Sequence, residues 1–112
     1  MAEPSADRRA YGRVYKKHTP DVMKAWGELN AAVFSEDREV PRKYLELIAV
    51  GVALTTQCEF CIEAHTAAAV DAGATDAELA EASWVAAALR AGGAFAHGRL
   101  AFQAADHHRH SA

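Results

Sequence analysis

Apolar residues recur along this chain at intervals of three and four, the spacing of one face of an α-helix. The clearest run is Val22, Met23, Trp26, Leu29, Val33 and Phe34. No segment alternates apolar and polar residues as a half-buried strand would, and only three prolines interrupt the chain. The pattern therefore predicts an all-α fold. Punctuation divides it into elements. Residues 1–6 read as a loose terminus and 7–17 as a short helix. In Thr19-Pro20-Asp21, Thr19 suits a cap, Pro20 the first helical position and Asp21 the positive end of the dipole. That helix is predicted to end near Ser35, followed by a charged loop over 36–40. Pro41 opens a helix to about Leu54, which Thr55-Thr56-Gln57 breaks. A further helix runs from about Cys58 to Gly73, a C-terminal glycine stop. Thr75 and Glu78 have the spacing of a capping box, starting a helix to about Arg90. Gly92-Gly93 predicts a break, a last helix spans 94–105, and the polar residues 106–112 read as a frayed tail. The division is a segment over 1–18, one helical domain over 19–105 and the tail over 106–112.

Composition narrows the class. At 112 residues and 51% hydrophobic, the chain is one domain with material for a core. A domain of this size buries only about two-thirds of its unfolded surface, so self-association would help it. The net charge is −3 and no long stretch is strongly basic, which argues against nucleic acid or an anionic membrane as partner. No run approaches the ~18 apolar residues of a membrane span. The charged N-terminus has no apolar stretch of the secretory type. The expected location is the reducing cytoplasm, where two cysteines are seldom a static bridge.

Cys58-Glu59-Phe60-Cys61-Ile62-Glu63-Ala64-His65 carries the chemistry. At about 100° per residue, Cys61 lies about −60° and His65 about −20° from Cys58, so all three share one helical face. Cys58 falls in the first turn, where free N–H groups and the dipole favour a thiolate. His65 is placed to take a proton from Cys61 or to hold one beside its thiolate, as a fast nucleophile requires. A second thiol in reach converts an oxidised sulfur to a disulfide before over-oxidation. Glu46, within Tyr44-Leu45-Glu46-Leu47-Ile48-Ala49-Val50, is a carboxylate in apolar surroundings and needs a partner. The short connection at Thr55-Thr56-Gln57 predicts an antiparallel hairpin. Glu46 lies ten residues before Thr56 and His65 nine after it. Glu46 is thus expected to face His65 and Cys58 across the hairpin as a proton donor or acceptor.

Two other readings use the same residues. Cys58, Cys61, His65 and Glu46 could make a four-ligand zinc site, although three ligands crowding one helical face is unusual for structural zinc. The cysteines could also belong to a non-catalytic helical oligomer or sensor that only responds to redox state. Elsewhere, His107, His108 and His110 read as a solvated tail, and Trp26 and Trp84 as core or subunit contacts. Phe95 and His97 are candidates to line a neighbouring subunit's pocket, and Ala86-Ala87-Ala88 suits close helix packing.

The combination of Glu46 with Cys58-x-x-Cys61-x-x-x-His65, twelve residues from the glutamate to the first cysteine, resembles the alkylhydroperoxidase D-like branch of the carboxymuconolactone decarboxylase family. The likeness covers about residues 20–105 and is strongest from Pro41 to Gly73. It implies an all-α domain with the motif on a helical hairpin, assembled as a trimer or hexamer. It also implies hydroperoxide reduction, with Cys61 as the thiol that meets peroxide, Cys58 as the resolving thiol, and Glu46 and His65 as proton relay. No bound cofactor is implied; the electron donor of that branch is an external dithiol such as a lipoyl-bearing protein. Alkylhydroperoxidase D carries a histidine immediately before the second cysteine, where this chain has Phe60. The decarboxylase branch generally lacks paired cysteines, which argues against a lactone reaction.

Overall fold

The computed structural model describes residues 6–111, with side chains from Ala10 onward. Five helices follow one another: α1 (Ala6–His18), α2 (Pro20–Val33), α3 (Arg42–Thr56), α4 (Glu59–Asp71) and α5 (Asp76–His110). No strand occurs among the described residues. The expected loose terminus lies mostly on residues 1–5, outside the described part; Ala6 already belongs to α1. No described helix is long and apolar enough to cross a membrane.

α3 is the centre. Its buried residues Glu46, Val50 and Ala53 lie at i, i+4 and i+7, one stripe of the helix. The stripe meets α4 and α5, which contribute the buried Ala69 and Ala86. These small side chains let the helices approach closely. An antiparallel hairpin joins α3 to α4. α5 runs parallel to α3, clamped at both ends with the same 35-residue offset: Lys43 Nζ to Glu78 Oε2 at 2.9 Å, and the Arg90 guanidinium donating to the Thr55 carbonyl. Among the described residues, α1 packs only on α2.

The turn between α3 and α4 is tighter than expected. Thr55 and Thr56 remain helical, with their hydroxyls donating to the Val52 and Ala53 carbonyls. Gln57 alone makes the break, in the left-handed region at φ 57°. α4 ends as the glycine predicted. Gly73 takes φ 98°, its N–H bonds the Val70 carbonyl, and the Ala74 N–H bonds that of Ala69, the two bonds of a Schellman stop. The capping box is also present: the Thr75 hydroxyl accepts from the Glu78 N–H, and the Glu78 carboxylate accepts from the Thr75 N–H.

Four expectations are corrected. Thr19 holds the cap position of α2 with Pro20 behind it, but its side chain makes no cap hydrogen bond; its hydroxyl donates to the Tyr15 carbonyl at 2.7 Å and closes the end of α1 instead. Pro41 is the cap residue of α3, one position before the helix, rather than its first residue. Gly92-Gly93 does not break the last helix, and residues 106–110 are not frayed: α5 is continuous for 35 residues. Glycine ends a helix by adopting positive φ, and of the described glycines only Gly73 does so. Within a helix a glycine merely costs about 1 kcal/mol relative to alanine, which the flanking alanine-rich turns absorb. The last turn holds His107, His108, Arg109 and His110, the charge sign that suits a helix C-terminus.

A single chain does not close into a globule. Its radius of gyration is 19.3 Å, against about 13 Å for a compact chain of this length. Its accessible surface is 8755 Å², against roughly 6000 Å² for a monomer of this mass. Trp26, Trp84, Phe95 and Phe102 all lie open, Phe95 at 88% exposure. The two tryptophans therefore sit outside this chain's own core.

Candidate functional site

α4 begins at the cysteine pair. Cys58 is the residue that caps the helix, in extended backbone, and Cys61 is its third residue. This shifts the sequence-based placement of Cys58 by one step, from the first turn to the cap. Its sulfur accepts a hydrogen bond from the Cys61 N–H at 3.3 Å, one of the amides a helix start leaves without a partner. The two sulfurs are joined as a disulfide, with Cα atoms 5.3 Å apart.

One turn further along α4, His65 meets Glu46 across the hairpin, Nδ1 to Oε2 at 2.7 Å. Glu46 and His65 thus stand at equal height on the two helices, as the sequence predicts. Glu46 is 1% exposed and His65 25%. Among the described residues no hydrogen bond joins the Glu46–His65 pair to the cysteines; the link is α4 itself, from Cys61 to His65. No group of three or more His, Cys, Asp or Glu among the described residues could hold a metal ion.

Two further residues belong to the site. Arg42, one turn before Glu46 on α3, donates from Nε to Glu46 Oε1 at 3.0 Å, and its Nη1 lies 3.5 Å from Glu36 Oε1. Both oxygens of the buried carboxylate are therefore partnered. Phe34, at the end of α2, stacks on the His65 ring with centroids 4.9 Å apart and planes at 28°. The guanidinium of Arg42 lies 5.8 Å from the centre of the same Phe34 ring. An open cavity of about 480 Å³ borders these groups, lined among others by Asn30, Phe34, Arg42, Glu46 and His65. The four-residue spacing to Glu46 is a signal that would have found Arg42. Phe34 reaches the site across the 35–41 loop, and no spacing rule points to it.

Residues 20–104 match the model of the carboxymuconolactone decarboxylase family. The chain belongs to this family. It is 45% identical over 78 residues to uncharacterized protein 4 in the cox locus of Paracoccus denitrificans, covering 70% of this chain and 69% of that one. A crystal structure of a carboxymuconolactone decarboxylase family protein from Legionella pneumophila is similar at TM-score 0.67 and 30% identity, over 74% of this chain and 73% of the other. A protein from Methanobacterium thermoautotrophicum is similar at TM-score 0.72 and 33% identity, over 88% and 99%. As a member of the family, the chain shares its all-α architecture with these neighbours.

Proposed function

We propose that this member of the family is a thiol-dependent oxidoreductase of the alkylhydroperoxidase D type. The observation that carries the reading is a dithiol pair at the start of α4 with a buried Glu–His pair one turn beyond it. In the reduced protein, His65 takes the Cys61 proton and the thiolate attacks the terminal oxygen of a hydroperoxide. The O–O bond breaks, the proton goes to the departing alkoxide, and Cys61 becomes a sulfenic acid. The Cys58 thiol condenses with it, releasing water and forming the disulfide. An external dithiol, such as a lipoyl-bearing protein, then returns two electrons and two protons by thiol–disulfide exchange. No resident cofactor enters this cycle.

The unequal roles have support in the geometry. Cys61 lies one turn from His65, the only imidazole of the site. Cys58 caps the helix at the hairpin tip, where the backbone N–H of Cys61 supports negative charge on its sulfur, the form in which it attacks the oxidised Cys61. We place the chain in the cytoplasm as a homo-oligomer, a trimer or hexamer, which the open apolar surface supports.

The test is turnover. The purified protein with dihydrolipoamide should consume cumene hydroperoxide catalytically, and mild peroxide alone should remove two hydrogens per chain by intact mass. Peroxide consumption that survives Cys61→Ser refutes the assignment of that thiol. Phe60 favours a second reading, because it occupies the position where alkylhydroperoxidase D carries a histidine. In that reading the pair is a redox sensor, giving one stoichiometric oxidation without turnover.

A further inference from the structure

We infer that Arg42 is a positioning residue that fixes the hydrogen of neutral His65 on Nδ1 and so leaves Nε2 as the acceptor for the thiol proton. The inference rests on the dithiol reading proposed above and assigns the residue that sets its proton acceptor.

A neutral imidazole carries one N–H, and its partner decides which nitrogen bears it. Here Nδ1 lies 2.7 Å from Glu46 Oε2. An ionised carboxylate can only accept, so it holds the hydrogen on Nδ1. A protonated carboxyl can donate to Nδ1 and drives the hydrogen to Nε2. A nitrogen that already bears a hydrogen cannot take one from a thiol. The state of Glu46 therefore selects whether His65 works as a base. Glu46 is almost wholly buried, and burial without a counter-charge disfavours a carboxylate. Arg42 supplies a cation that does not deprotonate, 3.0 Å from the other oxygen.

The surroundings hold this arrangement in place. Arg42 is fixed from three sides: by Glu46 on its own helix, by Glu36 of the preceding loop, and by the ring of Phe34, the residue that follows α2. Phe34 in turn covers one face of His65. From α5, Glu78 is engaged by Lys43. Charge and ring contacts thus form a closed circuit, Arg42 to Glu46 to His65 to Phe34 and back to Arg42. A salt bridge that only stiffened α3 would not need the second oxygen of its carboxylate aimed at an imidazole.

With Arg42 uncharged, no cation stands beside the buried carboxylate, which disfavours its ionised form. The neutral carboxyl donates to Nδ1, and Nε2 then carries the hydrogen. The experiment is ¹⁵N NMR of histidine-labelled protein in its oxidised form above neutral pH, with His65 assigned by its loss in His65→Gln. Wild type and Arg42→Lys should show Nδ1–H with a bare Nε2; Arg42→Met should show a protonated Nε2. In the reduced proteins, iodoacetamide alkylation of Cys61 in a Cys58→Ser background should slow about tenfold or more in Arg42→Met, within the range for loss of a general base. It should be restored by Arg42→Lys.

A wild-type Nε2–H, an Arg42→Met spectrum like wild type, or an alkylation rate that ignores the tautomer overturns the inference. Should Arg42→Met fail to fold, Arg42→Gln gives the same test: it keeps a donor beside Glu46 but removes the charge, and should likewise move the hydrogen to Nε2. Because the spectrum is read without turnover, an absence of peroxide consumption would remove the peroxidase reading and leave the Arg42 assignment standing.

Discussion

Replacing Arg42 with methionine should destabilise the protein more than replacing Glu46 with glutamine, although both substitutions break the same contact. The asymmetry follows from exposure. The Arg42 side chain is 38% exposed and the Glu46 side chain 1%. In Glu46→Gln the stranded guanidinium reaches water and keeps Glu36 at 3.5 Å, so the cost is that of weakened charged hydrogen bonds, about 1–2 kcal/mol. In Arg42→Met the stranded group is a buried carboxylate. Removing one partner of a buried pair costs about 3–5 kcal/mol, and the lower end applies because His65 at 2.7 Å can share a proton with it. In the double variant no charge is stranded, so it should be more stable than Arg42→Met alone. The assay is urea unfolding followed by far-ultraviolet circular dichroism, with all four proteins at one concentration so that association contributes equally. Equal costs for the two single variants, or a double variant whose loss is their sum, would refute the claim that burial of Glu46 sets the energetics.

Other outcomes can be checked in the same material. Gln57 is a non-glycine residue at φ 57°; Gln57→Gly should raise the melting temperature, with a gain of up to about 1 kcal/mol from relief of the left-handed backbone. A Cβ at Gly92 or Gly93 would meet nothing within 4 Å in its own chain, so Gly92→Ala should add about 1 kcal/mol to α5; a loss in thermal melts would mean that a neighbouring molecule packs against it. The Lys43–Glu78 pair should matter over a defined pH window. The hydrogen bond to Glu78 raises Lys43 above its ordinary value of 10.5. The hydrogen bonds from Lys43 and from the Thr75 backbone lower Glu78 below its ordinary 4.5. A lowered carboxyl stabilises above its unfolded value and loses this as pH falls through the folded value; a raised lysine stabilises below 10.5 and loses this as pH rises through its folded value. The melting difference between wild type and Lys43→Met should therefore be flat around neutrality and close below the carboxyl range. A difference that grows on acidification would contradict this.

The parts of the fold that local chemistry decides were legible in the sequence. Gly73 stops α4 and Thr75 with Glu78 starts α5 because each motif satisfies its own orphan backbone groups within a few residues. The Glu46–His65 contact was legible because a short connection forces antiparallel helices, and rise per residue then fixes which positions meet. Gly92-Gly93 misled because a glycine pair permits a break without requiring one. Thr19 misled because its hydroxyl had two local uses, capping α2 or closing α1, and the sequence does not rank them. Phe34 was invisible because its place against His65 depends on the path of the 35–41 loop. Arg42 was legible by contrast: it stands four residues before a carboxylate in apolar surroundings, which needs a partner.

Only Val50, Ala53, Ala69 and Ala86 are sealed apolar residues among those described, and in the assembly proposed above this would make the amount of protein a variable of its own folding. So few side chains contribute little against the ordering entropy of about a hundred residues, and apolar faces that met other copies would supply part of the remainder. Folding and assembly would then be one equilibrium, and each tenfold dilution of a trimer or hexamer would remove about 1 kcal/mol per protomer. A melting temperature for this chain has meaning only beside its concentration. Substitutions on the open faces of α2 and α5 would register as a loss of stability even though no contact within the chain had changed.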